Sequence, residues 1–295
     1  MSGRARVRNV LLAVIGATAV AVPVALGPVG SATGATVAAS VAAPNCGTAV
    51  YLRPNGTRYQ CVFADYFSGT SLDTSKWQVL STAANHLGNK PDCWMNSRNN
   101  ILESNGVLRL ITRTGLAPFT CGSGSSAYTA TSTSATVSTM GKFNLRLGRV
   151  EVRAKFPFSK QHGLQTSLWM WPTNGAKLLP PPTEIDFAEW YSQWYDRVIP
   201  YLHNTLALIA PKSATNDYCM VDNVGAWHTY VLDWTAGRIT ISYDGKTCLV
   251  NNAAGNFNQP FFLLLTQMLG VGKNSPTAAT PKVATAQFDY VRMWS

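Results

Sequence analysis

After residue 44 the chain reads almost throughout as short segments in which apolar and polar side chains alternate. "GVLRLITRT" (Gly106 to Thr114), "RVEVRAKFPF" (Arg149 to Phe158), "TYVLDWT" (Thr229 to Thr235), "RITISYDGKTCLV" (Arg238 to Val250) and "AQFDYVRMW" (Ala286 to Trp294) all follow this pattern. A period of two places successive side chains on opposite faces of a strand, and long runs at the helical period are hard to find. Turn signals separate the segments, among them Asn-Gly in "SNGV" at Ser104 and Asp-Gly in "YDGK" at Tyr243. Such dipeptides favour tight hairpins, because both residues tolerate positive φ. The expected class is all-β, an antiparallel sandwich of two sheets with a short helix or two.

The stretch before residue 44 has a different character. Arg4, Arg6 and Arg8 precede the apolar run "VLLAVIGATAVAVPVALG" (Val10 to Gly27), and an Ala/Ser/Gly/Thr-rich stretch follows to Ala43. Residues 1–43 therefore read as a secretory signal peptide and processed leader, with cleavage sites at Ala32, Ala35 or Ala43. An uncleaved anchor is the rival reading, which Pro23 and the glycines make a poor spanning helix. Residues 44–295 contain no charged block, linker or repeat, and their length suits a single all-β domain with a well-buried core.

Six cysteines, Cys46, Cys61, Cys93, Cys121, Cys219 and Cys248, all lie beyond the leader. An even number in an exported chain points to three disulfides, and sequential pairing is the simplest connectivity: 46 with 61, 93 with 121, 219 with 248. None of the spacings is that of a zinc site. The formal net charge is +10, but the Lys and Arg residues are scattered, without a stripe or a nucleic-acid motif. The charge therefore fits solubility and loose attraction to an anionic cell wall, with no nucleic-acid partner.

Only 14 residues of the chain are acidic, yet "TEIDFAEW" crowds Glu184, Asp186 and Glu189 into six positions. Three prolines just before it start the segment as an extended chain. In a strand Glu184 and Asp186 share one face, while Ile185 and Phe187 point into the core. Glu189 has the wrong parity, which a β-bulge taking in one extra residue near Phe187 or Ala188 restores. Three carboxyls on one sheet face can also be a solvated charged edge or a calcium site. Trp190, Tyr191, Trp194 and Tyr195 follow at once, however, and "SLWMWP" (Ser167 to Pro172) precedes. Acids among large aromatic rings favour a carbohydrate cleft.

"EIDFAE" resembles the E-x-D-x-x-E signature of glycoside hydrolase family 16, in the bulged form of the laminarinases (endo-1,3-β-glucanases). Further segments agree in order: "VFADYFSGTSLDTSKW", "GRVEVRAKFPFSKQHGLQTSLWMWP", "WHTYVLDW", "ITISYDG" and "FDYVRMW", from Val62 to Trp294. The pattern is most similar to secreted actinobacterial members. The resemblance implies a β-jelly-roll sandwich of the concanavalin A-like lectin and glucanase type, whose concave sheet forms a glycan cleft. It assigns Glu184 to the nucleophile, Asp186 to the carboxylate that positions and polarises it, and Glu189 to the general acid/base. His203, in "YLHNT", matches a histidine near the catalytic row, Trp169 a cleft tryptophan, and Trp190 and Trp194 flank the sugar. Where many laminarinases read G-x-W-P-A-F-W, this chain has Gln165, Thr166 and Ser167 at the W-P-A positions, so a stacking surface is lost and the substrate is less fixed than the chemistry. No cofactor is required, although the family admits a structural calcium, for which Asp289 is the candidate.

The implied protein is a secreted, cell-wall-associated or free, monomeric endo-β-glucanase acting on a polysaccharide partner, β-1,3-linked glucan. Lichenase, galactanase or transglycosylase activity and a non-catalytic glycan-binding protein are the alternatives. Paired carboxyls have a purpose in such an enzyme: mutual repulsion helps keep Glu189 protonated as the acid while Glu184, aided by hydrogen bonding with Asp186, attacks as the anion.

Overall fold

Both anticipated hairpins form. Asn105 and Gly106 have φ of 54° and 73°, and Asp244 and Gly245 have φ of 49° and 77°, the left-handed pair that a two-residue turn requires. The computed structural model describes residues 43–295 except 86, 89, 174–181, 205–213 and 253. The leader expected over residues 1–43 lies outside the described residues, Ala43 apart. Ala43–Ser295 is one compact unit.

In chain order the strands are β1 (Cys61–Asp65), β2 (Gln78–Leu80), β3 (Asp92–Trp94), β4 (Ile101–Ser104), β5 (Val107–Arg113), β6 (Phe119–Cys121), β7 (Tyr128–Ala130) and β8 (Ser132–Ser138). They continue with β9 (Gly148–Lys155), β10 (Leu164–Pro172), β11 (Pro182–Tyr191), β12 (Ile199–Asn204), β13 (His228–Trp234), β14 (Ile239–Tyr243), β15 (Lys246–Asn251), β16 (Phe261–Leu269) and β17 (Val283–Trp294). A single turn, Thr82–Asn85, is the one α-helix among the described residues.

One layer runs β12, β11, β10, β16, β8, with β2 also paired to β8; the other runs β5, β17, β9, β13, β14, β15, with β4 on β5 and β1 on β17. These pairs are antiparallel, and only β3 joins β8 in parallel. β8 belongs to both layers, pairing with β16 through Ala135 to Ser138 and with β5 at Thr133. The result is the expected antiparallel jelly-roll sandwich. Its core is filled from one side by Leu168, Met170, Ile185, Phe187 and Trp190, and from the other by Val150, Val152, Tyr230, Leu232 and Ile241. Phe156 and Tyr230 stack with ring centroids 4.9 Å apart. Burying each such large side chain stabilises by roughly 1.5–3 kcal/mol before ordering costs.

The side opposite β8 is closed differently. Leu202 and Val198 donate their backbone N–H groups to the carbonyls of Ala214 and Cys219, so a returning segment covers the free edge of β12. Covering an edge removes a template for pairing with other chains. The Cys219–Cys248 disulfide then ties that cover to β15, the last strand of the other layer. Cys46–Cys61 and Cys93–Cys121 complete the sequential pairing, and no cysteine is free. Non-reducing mass analysis is expected to show six fewer hydrogens than the reduced chain. The double variant Cys219→Ser/Cys248→Ser is expected to lose roughly 2–4 kcal/mol in denaturant unfolding; two or more alkylatable thiols in the native protein would contradict the pairing.

On the outer face of the second layer, Glu151 of β9 is only 5% exposed. Its carboxylate accepts from Tyr51 Oη at 3.0 Å, Tyr290 Oη at 2.9 Å and Arg149 Nη2 at 3.2 Å, with Arg292 Nη1 at 3.6 Å. Arg149 turns its other nitrogen to Asp233 at 2.7 Å. Tyr51 belongs to the segment stapled by Cys46–Cys61, so this buried ionic cluster fastens the start of the domain to the sandwich.

Candidate active site

Strand β11 carries the three acids, and its pairing shows how they come to share a face. Against β12, Asp186 stands opposite Tyr201 and Glu189 opposite Ile199, so β11 holds one more residue than its partner in this interval. Against β10, Trp169 faces Asp186 and Leu168 faces Ala188, which leaves Phe187 as the extra residue. The bulge sends both Phe187 and Ala188 into the core with Ile185 and Trp190, each of them fully buried. Glu189 is thereby returned to the face of Glu184 and Asp186. The carbonyl of Phe187 accepts a hydrogen bond from Tyr243 Oη at 2.8 Å, reaching across from β14.

Burial governs the charge state of the row. It pushes Glu184 up to about 7, opposed by a hydrogen bond with Asp186 and reinforced by the charge of Glu189. Asp186, 2% exposed, is held well above the usual aspartate range by burial and by the charges of Glu189 and Glu184. Glu189 is raised by burial, against which Tyr191, Ser167 and Gln165 act as hydrogen-bond partners. Three neighbouring carboxyls cannot all ionise in such a site. The hydrogen bond between Asp186 and Glu184 lowers Glu184 and raises Asp186, so within that pair Asp186 is the better holder of the proton and Glu184 is eased toward its anion.

The surroundings reinforce that inventory. His203, opposite Glu184 on β12, places Nε2 2.7 Å from Asp186 Oδ2, and burial lowers its pKa so that it stays a neutral donor. Gln165 Nε2 and Ser167 Oγ, both on β10, donate to Glu189 Oε1 at 2.9 and 3.1 Å. Trp169 Nε1 donates to Thr266 Oγ1 at 3.0 Å, which holds the indole in place. A cavity of about 180 Å³ opens over the row, lined by Trp94, Gln165, Ser167, Trp169, the three acids, Thr266 and Met268. A larger groove, of about 740 Å³, lies beside β2 and β4, but Glu103 is the one carboxylate lining it. One carboxyl cannot supply both an acid and a nucleophile.

Ligand atoms of Glu184, Asp186 and His203 lie within 4.8 Å of one another. They already hydrogen-bond to each other through Asp186, so the set behaves as a proton-sharing network. Asp289, the calcium candidate, pairs with Arg153 Nη1. A hard cation seeks a shell of oxygens, whereas this carboxylate is neutralised by a guanidinium, and the residues present do not fit calcium.

Residues 89–274 match the model of glycosyl hydrolases family 16. The chain belongs to that family. It is 28% identical over 263 residues to the glucan endo-1,3-β-glucosidase A1 of Niallia circulans, covering 79% of this chain and 37% of that protein. It is also 27% identical over 168 residues to the keratan-sulfate endo-1,4-β-galactosidase of Sphingobacterium multivorum, covering 54% of this chain and 39% of that protein. The chain thus spans well under half the length of these curated relatives. The laminarinase catalytic domain of Thermotoga maritima shares its fold, with a TM-score of 0.69 at 23% identity over 80% of this chain and 98% of that one.

Not every residue expected at the cleft of this family 16 glycoside hydrolase is there. Trp190 was expected to flank the sugar, but it is fully buried in the core, because the bulge that turns Glu189 outward turns the next residue inward. Its indole N–H is spent on the carbonyl of Tyr195. Trp194 lies beyond the strand in the turn Ser192–Trp194, 44% exposed and edge-on to Tyr191, outside the lining of the 180 Å³ cavity. Trp169 and His203 sit beside the acids. Trp94, Thr266 and Met268 were not anticipated; they arrive from β3 and β16, remote in sequence, and nothing local to "DCW" or "LLTQML" marks them.

Proposed function

We propose that the chain is a secreted endo-β-1,3-glucanase that cleaves its polysaccharide with retention of configuration. The observation that carries this reading is the row of three proton-sharing carboxyls on one bulged strand, Asp186 and Glu189 buried and Glu184 half-buried. In the first step Glu184 attacks the anomeric carbon as the C–O bond to the leaving sugar breaks, and the proton of Glu189 passes to the departing oxygen. A glycosyl ester on Glu184 results. In the second step Glu189, now ionised, takes a proton from water; the water oxygen bonds to the anomeric carbon, and Glu184 leaves as the carboxylate. Asp186 positions Glu184 and tunes it, with His203 holding Asp186. Trp169 offers a face for a sugar ring.

Preference for β-1,3-glucan rests on the Niallia circulans relative and on the bulged acid row. Export rests on the leader expected over residues 1–43 and on three disulfides, which persist in oxidising compartments. Incubating the mature domain with laminarin, lichenan, agarose and xyloglucan tests the reading. Short oligosaccharides are expected early from laminarin, rather than glucose alone. Cleavage of agarose or another galactan with none of laminarin would favour a second reading, galactan hydrolysis, to which the Sphingobacterium multivorum relative points. Inactivity on all four, with binding retained, would indicate a glycan-binding protein on the same fold.

A further inference from the structure

The positions that in many laminarinases carry Trp-Pro-Ala here carry Gln165, Thr166 and Ser167, and strand parity divides them. Thr166 is fully buried and turns to Gln267 in the core, whereas Gln165 and Ser167 face the cavity over the acids. Both donate to the same atom of Glu189, its Oε1, at 2.9 and 3.1 Å, and Gln165 Nε2 lies 3.3 Å from Ser167 Oγ. A carboxylic oxygen that already accepts two hydrogen bonds is a poor place for the acid's own proton, because a hydroxyl there would point a donor at donors. The proton belongs on the other oxygen.

We propose that Gln165 and Ser167 are positioning residues that clamp Oε1 of Glu189, so that this acid carries and returns its proton through Oε2. The inference rests on the reading of Glu189 as the acid/base. It gives the lost aromatic surface a chemical replacement: a polar pair that fixes the rotamer of the acid. Ser167 stands directly opposite Glu189 across the β10–β11 pair, and Gln165 opposite Tyr191, so the clamp is built into the register.

A clamp of donors also favours the ionised form of Glu189, against the burial that raises it. The titratable groups around Glu189 are Glu184, Asp186 and Tyr191 on its own strand, His203 of β12 through Asp186, and Tyr243 of β14 behind the bulge. From β10, β16 and β3 only neutral side chains line the cavity, Gln165, Ser167, Trp169, Thr266, Met268 and Trp94. Tyr191 stays as a hydrogen-bond partner of Glu189 when the clamp is removed, but no lysine or arginine among these groups replaces the lost donors. Removing a donor to the carboxylate therefore raises the pKa of Glu189.

The test is a carbon-detected NMR titration of Glu side chains in the substrate-free protein, with the Glu189 signal assigned by its loss in Glu189→Gln. In Gln165→Leu the titration midpoint of Glu189 is expected to rise by about one pH unit. Ser167→Ala, which cannot disturb packing by bulk, should shift it the same way by less. In kinetics, the alkaline limb of kcat/KM on β-glucan should move to higher pH. The rate should also fall about tenfold on glucan but little on an aryl β-glycoside whose leaving group needs no proton. A midpoint that stays or falls in both variants overturns the proposal, as do equal losses on the two substrates. A midpoint that rises in a protein inactive on every β-glucan leaves the clamp standing and removes the glucanase reading instead.

Discussion

Replacing Glu184 or Glu189 by alanine is expected to lower turnover of β-glucan by roughly 10⁴- to 10⁶-fold, and the two variants should fail in different ways. Glu184→Ala has no attacking carboxylate. Added azide can then restore turnover only by attacking the anomeric carbon itself, which gives an α-glycosyl azide. Glu189→Ala still forms the ester on Glu184 from a substrate with a good leaving group, and azide intercepts that ester to give the β-product. The unmodified enzyme should release β-configured sugar first. Asp186→Asn should weaken catalysis without altering stereochemistry if, as proposed, its task is to hold and tune Glu184 through their hydrogen bond. An NMR time course showing inversion, or azide products of the opposite configurations, would overturn the assignment of roles.

The second large effect concerns stability. Glu151→Ala is expected to cost roughly 3–5 kcal/mol, read as a lower urea midpoint at unchanged slope. The carboxylate is 5% exposed and gathers two tyrosine hydroxyls and two guanidinium groups. Removing it leaves Arg292 without that counter-charge beneath a covering segment, though Arg149 keeps Asp233. Glu151→Gln separates charge from packing, since it fills the same space and can still accept from Tyr51. A loss below about 1 kcal/mol in both variants would mean that the cluster is solvated enough to behave as a surface pair.

Parity made much of this molecule legible in the sequence. The alternation of "RVEVRAK" and "TYVLDW" is the alternation of buried and half-exposed residues in β9 and β13, broken only where Glu151 and Val231 are buried on the outer face. The odd spacing of Glu189 was enough to require the bulge that the pairing of β11 contains. Parity also shows where reading by proximity fails. Adjacency to an acid suggests a cleft position for Trp190, although one residue past the bulge lies on the opposite face. Trp94, Thr266 and Met268 reach the cavity from strands far away along the chain, and only the order of strands in the sheet brings them there. Gln165 and Ser167 were visible as departures from a motif, but their shared acceptor depends on side-chain distances that spacing does not encode. Asp289 likewise lies in a recognisable strand, while its partner Arg153 comes from β9, across the sheet.

A bulge strands a peptide group outside the regular ladder, and in β11 the carbonyl of Phe187 is met by the hydroxyl of Tyr243 from β14 of the other layer, a strand that does not line the cavity over the acids. That far layer is thus a reference plane from which the offset between Asp186 and Glu189 is set. The side chains that line the cavity over the acids need not perform this alignment. The cutting tool is mounted on the back of the sandwich.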